Sequence, residues 1–326
     1  MDKSNPISAI GEKSLIAHIS DIFNTSKNAC IVKGAGEDDC AVIDLNNEEF
    51  MVVTIDMLHR KTDFPSQMSA WQIGWMSAAV NFSDIAAMGA CPIGLLAAFG
   101  LPENMELGFI ENVSQGMNDC AKYCNTSVVG GDIDKQDELT ITGTALGRVD
   151  KNNLLMRRGA KTGDFVCVTG HTGSAGVALY AIENKLGVDD NFLKALFEPV
   201  PRTHEAQKLA QSGAVTSMID TSDGLAMSLY DLSLSTQVGF RIYEDKLPIS
   251  NETYSIADKK KAIDFALYSG GDFELLFTVS PELKSNASNS CDFKIIGEVI
   301  DAEKGIVLES TDKNQEVINR KGYEQL

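Results

Sequence analysis

Aspartate residues recur where apolar segments of the chain end, and these residues have the greatest potential for chemistry. They are Asp38 and Asp39 in GAGEDDCAV, Asp56 after MVVTI, Asp132 after VVGG, and Asp220 and Asp223 in IDTSDG. Strand ends are where α/β proteins place ligand sites, and carboxylate oxygens are the ligands that Mg²⁺ prefers. So many carboxylates indicate several Mg²⁺ ions around a polyphosphate. Taken singly, each aspartate is also a residue that a turn or cap would use.

Asp84 is the only charged residue in the segment from 64 to 102. A buried charge is costly unless it is paired or binds a metal. The uncharged run at 85–102 is long enough to cross a bilayer, but Pro92 and several glycines interrupt it. We predict a buried helix, a turn around Pro92 and a buried strand at 93–99. Asp84 then either belongs to a metal site or caps a helix.

The composition is that of an acidic globular protein. Lys and Arg number 28 and Asp and Glu 46, which gives a net charge of −18. Such a chain repels nucleic acid and anionic lipid, so we expect neither nucleic acid nor a membrane as a partner. The seven cysteines are scattered without a CxxC pair, and no signal peptide is evident at the N-terminus. We therefore expect reduced thiols and a cytoplasmic location.

Strands and helices alternate in both halves of the chain, which predicts an α/β or α+β fold. Strands at 49–55 and 215–219 lead directly into two of the aspartates. A polar, basic segment near 150–162 predicts a boundary between two domains. We place an N-terminal domain at 1–150, which binds metal and ATP and dimerises, and a C-terminal domain at 151–326.

Motifs of several other enzyme classes are absent from the sequence. It contains no Walker A motif, protein-kinase signature, HExxH or G-x-S-x-G. A glycine-rich turn at 170–176 follows a strand and offers a phosphate site at a helix N-terminus, although close packing is the commoner use. Arg157 and Arg158 form a basic pair that suits a phosphate contact or a solvated linker equally well.

Eight segments in the same order resemble the thiamine-monophosphate kinase family, whose superfamily includes aminoimidazole ribonucleotide synthetase and selenophosphate synthetase. They are GEKSLI at 11–16, GEDDCAV at 36–42, TIDML at 54–58, VNFSDIAAMGACP at 80–92, VGGD at 129–132, RRGAKTGD at 157–164, IDTSDGL at 219–225 and SGGDFELLF at 269–277. They span nearly the whole chain. VNFSDIAAMGA is the most specific of them, and its combination with GEDDCAV and IDTSDGL indicates the kinase.

The resemblance implies phosphorylation of thiamine monophosphate to thiamine diphosphate, with ATP as co-substrate and several Mg²⁺ ions. It also implies a two-domain α/β fold and a homodimer formed through the N-terminal sheet. The implied magnesium ligands are Asp39, Asp56, Asp84, Asp132, Asp220 and Asp223, the last also being the catalytic position. The implied ATP contacts are Gly131, Arg157 and Ser222, and the implied acceptor contacts are Asp63 and Tyr323.

Two positions depart from the family pattern. Asp63 stands where the family has histidine, and Gly271 stands where it has glutamate. Both lie on the acceptor side, which leaves open a related ATP-dependent enzyme with a different small acceptor, or a nucleotide-binding protein without turnover. The mechanism we favour is direct in-line transfer of the γ-phosphoryl group to the acceptor phosphate, which is ionised at pH 7 and needs no general base.

Overall fold

The structure is a computed structural model that describes residue 7 and residues 11–26 and 28–324. The first half of this chain forms one sheet with helices. Its elements are α1 (Glu12–Phe23), β1 (Ile31–Lys33), β2 (Ala41–Asp44), β3 (Glu49–His59), α2 (Ala70–Ala87), β4 (Cys91–Leu101), α3 (Leu107–Tyr123), β5 (Val128–Lys135) and β6 (Thr140–Asp150). The six strands lie in the order β1-β2-β3-β6-β4-β5, and only β4 and β5 pair in parallel.

The second half forms a seven-stranded sheet in the order β13-β12-β9-β11-β7-β10-β8. Its elements are β7 (Phe165–Val168), α4 (Ser174–Glu183), α5 (Asp190–Phe197), α6 (Thr203–Ser212), β8 (Val215–Asp220), α7 (Leu225–Thr236), β9 (Gly239–Tyr243), α8 (Asn251–Ile256), α9 (Lys259–Tyr268), β10 (Leu275–Val279), α10 (Lys284–Ser288), β11 (Lys294–Ile300), β12 (Ile306–Glu309) and β13 (Gln315–Val317). The predicted mixed α/β class is confirmed. The strands predicted at 49–55 and 215–219 correspond to β3 and β8.

Helix α2 lies at the centre of the molecule and joins the two halves. It begins with a reciprocal cap in which Ser69 and Gln72 each accept a backbone N–H from the other. Most of its residues are buried, as the apolar sequence predicted. Helix α3 lies so close that a Cβ at Gly74 would lie 1.8 Å from the Val113 carbonyl oxygen. On another side, Trp75 Nε1 donates a 2.7 Å hydrogen bond to the Pro199 carbonyl of the second half.

The end of α2 corrects two expectations. Asp84 lies in the last turn of the helix and Ser69 is the N-cap, so the alternative that Asp84 caps a helix is wrong. The following strand begins at Cys91, two residues before the predicted start, and includes Pro92. Pro92 adjoins a bulge in the pairing with β6, where a missing N–H is tolerated. Within the described residues, no helix has the length and apolarity needed to cross a membrane.

Candidate active site

Three carboxylates from three separate elements meet where the two halves of the molecule join. One oxygen of each of Asp39, Asp84 and Asp220 lies within 4.8 Å of the other two. Asp39 comes from the loop between β1 and β2, Asp84 from the last turn of α2, and Asp220 from the end of β8. We call these three residues the carboxylate cluster. All three were expected to act together from their motifs, and the structure brings them together.

The surroundings of Asp84 disfavour the charged form of its carboxyl group. Burial raises the pKa of its carboxyl well above the usual range, and the charges of Asp56 and Asp220 raise that pKa further. The negative end of the α2 dipole acts in the same direction. The Thr54 hydroxyl donates a 2.5 Å hydrogen bond to Asp84 Oδ2, which only partly compensates. A cation at this oxygen would remove the conflict.

Asp220 receives hydrogen bonds from both halves of the chain. Ser83 Oγ on α2 donates to Asp220 Oδ2 at 2.6 Å, and Ser222 Oγ donates to Asp220 Oδ1 at 2.9 Å. Burial and then the charge of Asp39 raise the pKa of Asp220 to about 7, despite these donors. The expected ATP contact Ser222 therefore lies directly beside the carboxylate cluster.

Asp39 is paired through one oxygen only. Arg157 donates to Asp39 Oδ1 from Nε at 3.2 Å and from Nη2 at 2.5 Å. Among the described residues, the buried second oxygen, Oδ2, has no hydrogen-bond partner. Burial disfavours the charged form of Arg157, but the Asp39 carboxylate outweighs it and raises the pKa of Arg157 above its usual range. Arg157 is thus a cation fixed at the cluster, and its part in ATP binding stays a prediction.

Asp56 and Asp223 adjoin the carboxylate cluster. Burial and then the charge of Asp223 raise the pKa of Asp56, on β3, to about 6. The charge of Asp56 in turn raises the pKa of Asp84, so these groups share one electrostatic environment. Asp223 lies in the turn between β8 and α7, and its carboxylate pairs with Lys13 Nζ at 2.7 Å.

Asp132 and Gly131 do not join these groups in the single chain. Both lie on β5, the edge strand, and Asp132 is exposed. The register pairs Asp56 with Gly143, Gly143 with Ala97 and Ala97 with Gly131, so three strand spacings of about 4.8 Å separate Gly131 from Asp56. Asp132, the next residue, points to the opposite face of the sheet. The parts of Asp132 in metal binding and of Gly131 in ATP binding stay predictions.

The two residues expected near the acceptor lie together. Tyr323 has a hydrogen bond to Asp63, and burial, followed by the charges of Asp63 and Glu12, raises the pKa of the Tyr323 phenol. The Tyr323 backbone N–H donates to the Asp223 carbonyl at 3.0 Å, which ties the C-terminal segment to the loop that carries Asp223. Asp63 Oδ2 also accepts the His59 N–H at 2.7 Å, so it stabilises the turn after β3.

Gly271, the second departure from the family pattern, has a structural reason to be glycine. Its φ of 93° lies in a region that other residues rarely adopt. Its N–H donates to the Ser222 carbonyl at 2.8 Å, so the segment lies against the loop that carries Ser222. The substitution is therefore compatible with the local backbone.

The glycine-rich turn at 170–176 is not a free phosphate site, and the close-packing interpretation is correct. Asp272 Oδ2 accepts the Gly173 N–H at 2.6 Å and Oδ1 accepts the Ala175 N–H at 2.9 Å, so a carboxylate of the chain occupies the start of α4. A Cβ at Gly173 would lie 2.6 Å from the Ala266 nitrogen. Sequence reasoning missed Asp272, although its SGGDFEL motif was noticed.

The carboxylate cluster fits a divalent cation. Three hard oxygen donors lie close enough to share one ion, and the unpartnered Oδ2 of Asp39 is a ligand atom without another use. Burial and then the neighbouring carboxylates raise the pKa values of Asp84 and Asp220, and a bound cation would favour the charged forms of both. Sequence reasoning missed Thr54 and Ser83, which orient two of these carboxylates.

Comparison with known families accounts for both halves of the chain. Residues 37–149 match the N-terminal domain, and residues 161–309 the C-terminal domain, of AIR synthase related protein. The first match contains Asp39 and Asp84, and the second contains Asp220. The fold and the carboxylate cluster therefore define an AIR synthase related protein.

Individual relatives show to which family within this class the chain belongs. A thiamine-monophosphate kinase of Methanospirillum hungatei JF-1 is 42% identical over 76% of this chain and 82% of its own length. That of Escherichia coli K12 is 33% identical over 86% of this chain and 85% of its own. The chain belongs to the thiamine-monophosphate kinase family, and the resemblance drawn from its motifs is confirmed.

Two solved structures share the fold of this chain. The superposition on AaThiL complexed with AMPPCP and TMP covers 100% of both chains, with a TM-score of 0.87 at 25% identity. The thiamine-monophosphate kinase of Stenotrophomonas maltophilia K279a covers 90% of this chain and 95% of its own, with a TM-score of 0.75 at 29% identity.

Proposed function

We propose that the protein transfers the γ-phosphoryl group of ATP to thiamine monophosphate and so forms thiamine diphosphate. The observation that carries this is the convergence of Asp39, Asp84 and Asp220 within 4.8 Å, in a chain of the thiamine-monophosphate kinase family. Two polyanions have to approach each other in this reaction, and a chain with a net charge of −18 needs cations to allow it. No observation favours a different acceptor or a protein without turnover.

The cations we propose are several Mg²⁺ ions, held by Asp39, Asp56, Asp84, Asp220 and Asp223. When bound, they would screen the phosphates and stabilise the charge of the transferring group. The residues of the chain then orient the reactants. Arg157 and Ser222, both hydrogen-bonded to carboxylates of the cluster, contact the nucleotide phosphates. We assign the catalytic role to Asp223, whose charge acts both on Asp56 and on Tyr323 at the acceptor end.

At the acceptor end, Asp63 and Tyr323 bind the thiamine part of the substrate. The pair is joined by a hydrogen bond and lies beside Asp223. An aromatic ring and a carboxylate are suited to the permanently charged thiazolium ring of this acceptor. The acceptor phosphate is ionised at neutral pH, so the transfer requires no general base.

We also propose a homodimer of two-domain protomers, with domains at 1–150 and 151–326. The outer face of the first sheet, turned away from α2, exposes Ile55, Met57 and Leu96 by 65%, 57% and 39%. Large exposed apolar side chains on one sheet face are typical of an interface. Asp132 lies on this same outer face, so we assign its proposed magnesium ligation to the assembled dimer.

Product formation tests the proposed function. Purified protein is mixed with ATP, Mg²⁺ and thiamine monophosphate, and thiamine diphosphate is followed by chromatography, with an EDTA control. Metal-dependent formation of thiamine diphosphate is expected. ADP release that depends on another small phosphorylated metabolite, without thiamine diphosphate, would contradict the proposed acceptor.

A further inference from the structure

Lys13, the second residue of α1, reaches the loop after β8 from the far end of the chain. Its Nζ lies 2.7 Å from Asp223 Oδ2 and 3.2 Å from Asp231 Oδ2. The lysine side chain keeps 33% of its surface exposed, and that of Asp223 keeps 34%. The pair is therefore accessible to a bound substrate. The ammonium group of Lys13 is therefore paired with Asp223, the carboxylate that binds Mg²⁺ in the proposed function.

Lys13 and a divalent cation compete for Asp223. Two cations at one carboxylate oxygen repel each other, so binding of the metal displaces the ammonium. Lys13 then keeps Asp231 as one partner but loses its shorter contact. Arg157, another cation at the site, is held by two hydrogen bonds to Asp39. Lys13 thus becomes available to an anion beside Asp223, whereas Arg157 lies beside Asp39.

The displaced ammonium lies on the acceptor side of the site. Its partner Asp223 is bonded through its backbone to Tyr323, and Tyr323 in turn is bonded to Asp63. Glu12, the neighbour of Lys13, is among the charges that act on Tyr323. An acceptor held by Asp63 and Tyr323 would therefore place its phosphate beside Asp223 and Lys13.

Helix α1 can follow such a movement. None of its twelve residues is buried. Ile22 and Phe23 are 56% and 64% exposed, so the helix contributes little apolar packing. A shift of an element with so little buried surface costs little free energy. The ion pairs of Lys13 tie the first turn of this helix to Asp223 and Asp231.

We propose that Lys13 binds the phosphate of the acceptor, exchanging Asp223 for that phosphate when Asp223 takes up metal. This inference rests on the proposed function and adds a substrate contact to it. In the absence of substrates Lys13 neutralises Asp223 in place of the metal. When metal and both substrates are bound, Lys13 neutralises part of the charge of the acceptor phosphate, which the γ-phosphoryl group must approach.

The test compares Lys13→Met, Lys13→Arg and the control Arg320→Met. Arg320 Nη2 lies 3.7 Å from Asp231 Oδ1. Arg320→Met therefore removes one positive charge beside Asp231, as Lys13→Met does, but leaves the contact with Asp223 in place. Lys13→Met should raise the KM for thiamine monophosphate about tenfold or more, with the KM for ATP unchanged. Lys13→Arg should restore most of the affinity, and Arg320→Met should resemble the wild type.

A second readout needs no turnover. Mn²⁺ binding to the substrate-free protein, followed by electron paramagnetic resonance, should tighten severalfold in Lys13→Met, because the competing cation is gone. Unchanged or weaker Mn²⁺ affinity in Lys13→Met overturns the proposal, even if the protein proves inactive on thiamine monophosphate. An unchanged KM for the acceptor, or an equal rise in the KM for ATP, overturns it as well. Failure of the proposed function is distinct, since the wild type itself would then form no thiamine diphosphate.

Discussion

The hydroxyl of Ser83 donates a 2.6 Å hydrogen bond to Asp220, a residue 137 positions away in the other half of the molecule. Ser83 precedes Asp84 on α2, so a single helical turn carries one carboxylate of the cluster and orients another. The relative position of the two halves is thus built into the site itself. A disturbance of this contact would therefore also disturb the proposed metal site.

Ser83→Ala should weaken the site without unfolding the protein. The Ser83 hydroxyl stabilises the charged form of Asp220, so its loss should raise the pKa of Asp220 and the Mg²⁺ concentration needed for half-maximal turnover. A hydrogen bond of about 1.4 kcal/mol corresponds to about a tenfold loss. The Mg²⁺ dependence of initial rates measures it.

Ser77→Ala is the matched control for that change. Ser77 is also buried on α2, but its hydroxyl donates to the Ile73 carbonyl of the same helix. It should leave the Mg²⁺ dependence unaltered. Equal shifts in both variants would show that α2 packing, and not the Asp220 contact, sets the metal affinity.

Asp84→Asn should reduce turnover by about 100-fold or more, because it removes a charged ligand from the centre of the cluster. The same change removes a buried charge, so the free energy of unfolding in EDTA should stay the same or rise. Steady-state rates and denaturant unfolding measure the two effects. Asp312→Asn, in the exposed turn between β12 and β13, serves as the control. Turnover like that of the wild type in Asp84→Asn would refute the assignment of this residue.

Asp272 should make stability depend on pH. Burial raises its pKa to about 7 in the folded protein, against about 3.9 in the unfolded chain. The folded state therefore binds the proton more tightly, and the resulting stabilisation is complete below about pH 4 and is lost as the pH rises through about 7. The difference in unfolding free energy between wild type and Asp272→Asn should accordingly fall over this range. Denaturant titrations in EDTA test this, and a difference that grows with pH would contradict it.

Asp63→Ala should affect the acceptor and spare the nucleotide. It removes the hydrogen bond to Tyr323 and the acceptor for the His59 N–H, so the KM for thiamine monophosphate should rise about tenfold. Tyr323→Phe, which removes only the hydroxyl, should act in the same direction with a smaller effect. Initial rates at varied concentrations of each substrate separate the two KM values. A rise confined to the KM for ATP would place Asp63 on the wrong side of the site.

The six carboxylates predicted from motifs in the sequence include the three that converge in the structure, but the motifs did not predict what orients them. Asp39, Asp84 and Asp220 each stand in a distinctive local pattern, and the family resemblance gave the reason to group them. The contact of Ser83 with Asp220 depends on how two separate sheets pack, which no local pattern encodes. Asp132 was predicted to join the other carboxylates, but the alternation of faces along β5 turns it away from the cluster of its own chain. Lys13 was overlooked because its partner lies 210 residues away.

Location of the metal is the measurement that tests the central claim most directly. A crystal of the protein with Mn²⁺ and AMPPCP would be measured at the manganese edge, where anomalous scattering marks each ion. We expect a peak about 2.1 Å from carboxylate oxygens of Asp39, Asp84 and Asp220, with nucleotide phosphate on its open side. Bound nucleotide with no anomalous peak at these three carboxylates would contradict it.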